Sequence, residues 1–211
     1  MAYPIVAAPY GLKPVNLIGG QVFAGATRQL PIAASYTTAI YNGGVVTLVA
    51  GGTIENSPLA DDATPLAGVV GVFLGCSYIN PSTNQLTFSQ YWPGVAGATN
   101  ILAFVADDPD QLYKAVNVAG TTVNNTTSGL LPAYLGQTMV GSNARLVLNT
   151  GSSVSGDSKV GIYSAAGATT ASLPLRIVDV VPDTANSAGA YVEFIVKLNF
   201  GYHSYNNAVG I

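Results

Sequence analysis

Apolar and polar positions alternate with period two along much of the chain, in short runs separated by turn-forming residues, and this predicts strands rather than helices. The longest such run lies within Pro65–Trp92. Val70, Val72, Leu74, Cys76 and Tyr78 fall on one predicted face, and Gly71, Phe73, Gly75, Ser77 and Ile79 on the other. Asn80-Pro81-Ser82-Thr83-Asn84 supplies turn chemistry. The return strand places Leu86, Phe88, Gln90 and Trp92 against Thr87, Ser89 and Tyr91. Glycines at 68, 71 and 75 weaken a strand interior and mark a bulge, a bend or a close backbone approach.

Further strands are expected at Thr27–Ala33, Thr53–Glu55, Ala144–Asn149 and Val160–Ser164. Tyr36–Tyr41 and Val45–Ala50 form a predicted hairpin about Asn42-Gly43-Gly44, because Asn-Gly supports the positive φ angles of a tight turn. Ile101–Val105 and Gln111–Val116 form another about the acidic turn Asp107–Asp110, and Leu173–Val181 pairs with Tyr191–Asn199. Leu130–Val140 is ambiguous, since Pro132 and Gly136 disfavour a long helix. These elements predict an all-β chain, a sandwich or barrel, either jelly-roll-like or a small open barrel. One β domain spans 27–211 and ends in a C-terminal tail.

Residues 1–26 read as an extended N-terminal arm, because Pro4, Pro9 and Pro14 interrupt apolar residues at five-residue spacing. Such a segment docks either on a partner or on the chain's own sheet. Its candidate contact residues are Tyr3, Pro4, Ile5, Val6, Pro9, Tyr10, Leu12 and Pro14. If it docks on a partner, deleting 2–20 leaves the domain folded. Tyr202, His203 and Tyr205 in the tail are a second candidate contact.

Composition changes the picture by what it lacks. Only 8% of the 211 residues are charged, against about 25% in an average soluble protein. A surface so poor in charge suits an assembly, in which much of it meets protein. With net charge −3 and no basic stripe, the footprint of a nucleic-acid partner is missing. The opening residues do not form a signal peptide, and the longest apolar run, Pro65–Cys76, is too short for a spanning helix, so no membrane partner is expected.

Candidate chemistry is sparse. One Cys and one His cannot supply a zinc site, no nucleophile elbow accompanies His203, and the strand glycines do not match a dinucleotide loop. Cys76 reads as a buried thiol. Asp107, Asp108 and Asp110, with Asp61 and Asp62, would serve a cation or a glycosidic acid pair, Asp62 with Asp108 being the first to test. Asp-Asp-Pro-Asp is equally good turn chemistry. Trp92 would serve either as a carbohydrate platform or as core, and the twelve tyrosines suit interfaces. No enzyme activity, cofactor or metal is expected.

Four stretches carry a family resemblance: AYPIVAAPYGLKPVNLIGGQVFAGATRQLPIA at the start, GGVVTLVAGGTI at Gly43–Ile54, GVVGVFLGCSYINPSTNQLTFSQYWPG at Gly68–Gly94, and PLRIVDVVPDTANSAGAYVEFIVKLNFGYHSY near the end. They resemble the capsid decoration proteins of tailed bacteriophages, also called cement or head-stabilising proteins. The resemblance implies a non-enzymatic virion protein, made in the host cytoplasm, whose partner is the major capsid protein. It also implies binding outside the assembled lattice, often as a homotrimer. Alternatives from other classes are a tail-tube or fibre component and a carbohydrate-binding surface module.

Overall fold

The computed structural model describes residues 8–57, 68–119, 133–163, 169–184, 191–199 and 201–208. The described residues form twelve strands, one short helix and one 3-10 turn, arranged as two antiparallel sheets packed together in a β-sandwich. The first sheet has the order β1 (Lys13–Leu17), β8 (Gln111–Val116), β12 (Glu193–Leu198), β11 (Leu175–Val180), β9 (Asn143–Val147) and β10 (Gly161–Tyr163). The second has the order β2 (Arg28–Pro31), β7 (Thr99–Ala106), β5 (Val69–Ile79), β3 (Val45–Val49) and β4 (Thr53–Asn56), with β6 (Leu86–Ser89) paired to the far half of β5. The helix α1 (Ala133–Thr138) occupies part of the ambiguous segment.

Both sheets curl. In the first, β10 returns to the end of β8, where the Val118 N–H donates to the Ile162 carbonyl at 2.8 Å and Asn117 bridges Ile162 in parallel. The strands enclose a core of Tyr113, Ala115, Leu146, Ile162, Ile177, Phe194 and Val196, all buried. The second sheet wraps a separate core of Ile40, Val46, Ile54, Val70, Phe73, Cys76, Trp92 and Val105.

β5 serves both cores, and its glycines make that possible. Gly71 and Gly75 have φ of +152° and +154°, and the register against the neighbouring strands slips beside each of them. A bulge inserts one residue and resets which face the next side chain takes. Val69 and Val72 therefore enter the first core, whereas Val70, Phe73, Cys76 and Tyr78 enter the second. The single face predicted for Val70, Val72, Leu74, Cys76 and Tyr78 is split accordingly.

Two predicted hairpins are not formed. Of Tyr36–Tyr41, only Ile40 makes a bridge, to Trp92, and β3 pairs instead with β4 and β5. Gly43 is held elsewhere: its carbonyl accepts from the Leu12 N–H at 2.9 Å and its N–H donates to the Phe73 carbonyl at 2.8 Å. The acidic turn likewise does not fold β8 back on β7, because the two strands belong to different sheets. The Tyr113 hydroxyl, donating to the Ala106 carbonyl at 3.0 Å, ties the crossing together inside the protein. The β11–β12 pair and the turn at Asn80–Asn84 form as predicted, the latter with Asn84 at φ +54°.

The described part of the predicted arm belongs to the domain. Leu12 is fully buried in the first core, and β1 pairs with β8 through Lys13 and Pro14. Pro9 is buried. Tyr10 donates its hydroxyl to buried Glu193, which also pairs with Lys114 at 3.2 Å. Burial, then Glu193, pushes the Tyr10 phenol up. Deleting 2–20 would therefore remove an edge strand and a core leucine, so the expectation that the domain survives this deletion is corrected. Tyr3, Pro4, Ile5 and Val6 lie outside the described residues.

Candidate interaction surface

The second sheet buries most of one face and less of the other. On β7, Ala103 and Val105 point into the second core, and Ala106 lies under the first sheet. Leu102 and Phe104 face the same side as Ala106, by the alternation of the strand, and are only half-buried. Residues paired across a ladder share a face. Phe104 pairs with Gly75 and Gln29, and Leu102 with Ser77 and Pro31. On the far side of β5, Ser77 pairs with Phe88 and Ile79 with Leu86.

The result is a four-stranded platform of Pro31, Leu102, Phe104, Ile79, Phe88 and Leu86. Phe88 is 70% exposed and Leu86 59% exposed. The rings of Phe88 and Phe104 lie 6.5 Å apart and nearly parallel, at 9°, across the small residues of β5. A larger side chain at Gly75 would sit beside the Phe104 ring, since a Cβ there lies 3.9 Å from it. The paired positions of this face carry no charge. Exposed apolar groups gathered on one face mark an interaction site more often than scattered ones do.

The sequence pattern located β6 but not its role. It grouped Leu86 and Phe88 with Trp92, whereas the strand ends at Ser89. The Ser89 hydroxyl donates to the Tyr91 carbonyl at 2.6 Å, and the chain then turns Trp92 into the second core. The usable signal was a pair of large apolar residues alternating with Thr87 and Ser89, with no charge between them.

Trp92 is fully buried, packs edge-on against Tyr78 at 5.2 Å and donates Nε1–H to the Tyr36 carbonyl at 3.1 Å. It is core, not an exposed platform. Trp92→Ala should lower the unfolding free energy by about 3–5 kcal/mol in urea titrations, as truncation of a buried aromatic does. Cys76 is also buried, and desolvation pushes its thiol up to about 12.

The acidic turn is engaged in structure. Asp107 pairs with Arg28 at 2.8 Å and accepts from the Tyr205 hydroxyl at 3.2 Å. Asp108 accepts from the Asp110 N–H at 2.8 Å, and Asp110 pairs with Lys197 at 2.6 Å. Among the described residues, no three His, Cys, Asp or Glu side chains gather as a metal site would require. Asp61 and Asp62 lie outside the described residues.

The predicted tail contacts divide. Tyr202 and His203 are buried, Tyr202 donating its hydroxyl to the Ser172 carbonyl. Tyr205 is 44% exposed. A charge-free cleft of about 370 Å³ also opens between the sheets, lined by Thr38, Tyr41, Asn56, Leu148, Thr150 and Ser158 among others. Tyr41 stacks on Tyr91 at 5.3 Å, and a Cβ at Gly151 would lie only 2.2 Å from its ring. Comparison of the chain with family models, with curated proteins and with solved structures gave no match.

Proposed function

We propose that this chain is a virion structural protein that binds the outside of an assembled major-capsid lattice and stabilises it against internal pressure. The observation that carries a binding role is the uncharged apolar platform around Phe88 and Leu86. Two features support it. The chain as a whole is poor in charge, and Leu86 and Phe88 are held by strand pairing on β6, so they lose little freedom on docking. The capsid as partner comes from the family resemblance of the four sequence stretches.

In this reading the platform meets an apolar, uncharged patch on the major capsid protein. Repetition of the same modest contact over the lattice, and in a homotrimer as the resemblance implies, raises the overall avidity well above that of one contact. The residues around Tyr3 and the exposed ring of Tyr205 remain proposed secondary contacts.

The test is co-sedimentation of the purified protein with mature capsids that lack it. Saturation at a fixed ratio to the major capsid protein is expected. Absence of binding by the folded protein at high concentration sinks the proposal. Growth of tubes or fibres by the protein alone would support the tail-component alternative instead.

A further inference from the structure

We propose that His203 is a proton-sensitive latch that holds the C-terminal segment 201–208 against the body of the protein and releases it on acidification. His203 is 1% exposed and forms a parallel bridge with Val69 at the start of β5. It caps the 3-10 turn Ser204–Asn206: its Nδ1 accepts from the Tyr205 N–H at 3.2 Å. Only a neutral imidazole with its proton on Nε2 can do this. The capped turn carries Tyr205 onto the acidic turn, where its hydroxyl meets Asp107 and its ring lies 5.2 Å from the Arg28 guanidinium.

Protonation places a second N–H on Nδ1, facing the Tyr205 N–H. The acceptor is lost and two donors confront one another in a dry site, an arrangement that costs more than a missing hydrogen bond at the surface. The buried Nε2 offers little compensation. It has no hydrogen-bond partner, although the backbone of Asp107 and of Val70 beside the ring favours the imidazolium.

The charged and titratable groups facing this site come from three elements. Asp107 and Asp108, on the acidic turn, favour the imidazolium, but Asp107 is already paired with Arg28 of β2 and Asp108 with the Asp110 N–H. Tyr205 comes from the segment itself, its phenol raised by burial and then by Asp107. β5 contributes only the backbone of Val69 and Val70. Burial outweighs the backbone of Asp107 and Val70 and the two carboxylates together, so His203 sits below its ordinary value of 6.5.

The sign follows. In the released segment the imidazole titrates near its ordinary value, and in the closed segment lower. The latch is therefore held in full above about 6.5 and weakens as pH falls toward the closed-state value. Across that window release takes up at most one proton, so the released population rises by up to about tenfold per pH unit.

Hydrogen exchange of the full chain between pH 8 and 5, corrected for the intrinsic pH dependence of exchange, tests this. Protection of residues 201–208 should fall as the pH drops below about 6.5, by up to about tenfold per unit. In His203→Asn the side-chain oxygen can still cap the turn but does not titrate, so protection should be flat with pH. Protection in the wild type that does not change with pH overturns the proposal. So does an unchanged pH dependence in His203→Asn, which would assign the effect to another group. An NMR titration gives an independent readout: the His203 ring and the Tyr205 amide should shift with one midpoint. Separate midpoints contradict the latch.

Discussion

The double variant Leu86→Asp/Phe88→Asp should remain folded and bind capsids at least about 100-fold more weakly than the wild type. Both side chains stand on the solvent face of β6, 59% and 70% exposed, so a carboxylate there meets water in the free protein. The opposite face of the strand, Thr87 and Ser89, is unchanged. Unfolding stability should therefore move little, the main loss being the contact between the Phe88 and Phe104 rings. Docked against an apolar partner, the same variant forfeits the burial of two large side chains, each contributing about 1.5–3 kcal/mol. It also brings two charges into a dry interface without partners. A loss of about 3 kcal/mol already corresponds to about 100-fold in affinity. The control is Val154→Asp, since Val154 is 98% exposed and lies in a turn outside the platform strands. Capsid binding should survive there. Equal binding by the double variant and the wild type would remove the platform from the mechanism.

Gly71→Ala should be severely damaging, lowering stability by more than about 4 kcal/mol and reducing soluble yield. A Cβ built at Gly71 lies 2.0 Å from the Ala106 carbonyl oxygen and 2.9 Å from its carbon. Those are backbone atoms of the neighbouring central strand, so they cannot swing aside as a side chain would. The φ of +152° adds strain for any residue with a Cβ. Relief requires β5 and β7 to separate or the bulge to slide, and sliding would turn Val72 and Phe73 into the wrong cores. Effects above about 4 kcal/mol are rare and come from such packing or backbone conflicts. Gly51→Ala is a useful contrast. Gly51 also has positive φ, at +101°, but meets no atom within 4 Å, so only the conformational penalty applies there. Urea unfolding of both variants should separate them by several-fold in ΔΔG.

The contrast between these glycines also indicates what was legible in the sequence. Strand identity was readable where alternation and turn chemistry agree, as at β5, β6 and the β11–β12 pair, because both signals are local. The bulges were readable as an excess of glycine inside a strand. Their consequence, the sharing of β5 between two cores, was not, because it depends on which sheets lie above and below. The two misread hairpins have the same cause. Asn42-Gly43 and Asp107–Asp110 do turn the chain, but a turn does not say where the next strand pairs. That was decided by distant partners: Leu12 and Phe73 on Gly43, and Tyr113 on Ala106.

The candidate surface was less legible than the fold. Proline spacing pointed to an arm, yet Leu12 fills the core and Pro14 sits in a paired strand. Tyr202 and His203 sit among Gly, Tyr and Asn in a tail that reads as an exposed contact, but the tail folds inward and buries them. Phe88 passed as an ordinary strand residue, since a strand pattern does not reveal which of its faces another sheet will cover. The first sheet lies over Ala106 and leaves Phe104, two residues earlier, only half-buried. The low charge of the chain is the one compositional feature that bears on the proposed contact.

The most direct test of the central claim is hydroxyl-radical footprinting of the protein free and bound to capsids. If the platform is the contact, labelling of Leu86 and Phe88 falls several-fold on binding, while Val154 is labelled equally in both states. If the bound protein shows Leu86 and Phe88 as reactive as in the free chain, the platform does not face the lattice and the account is wrong.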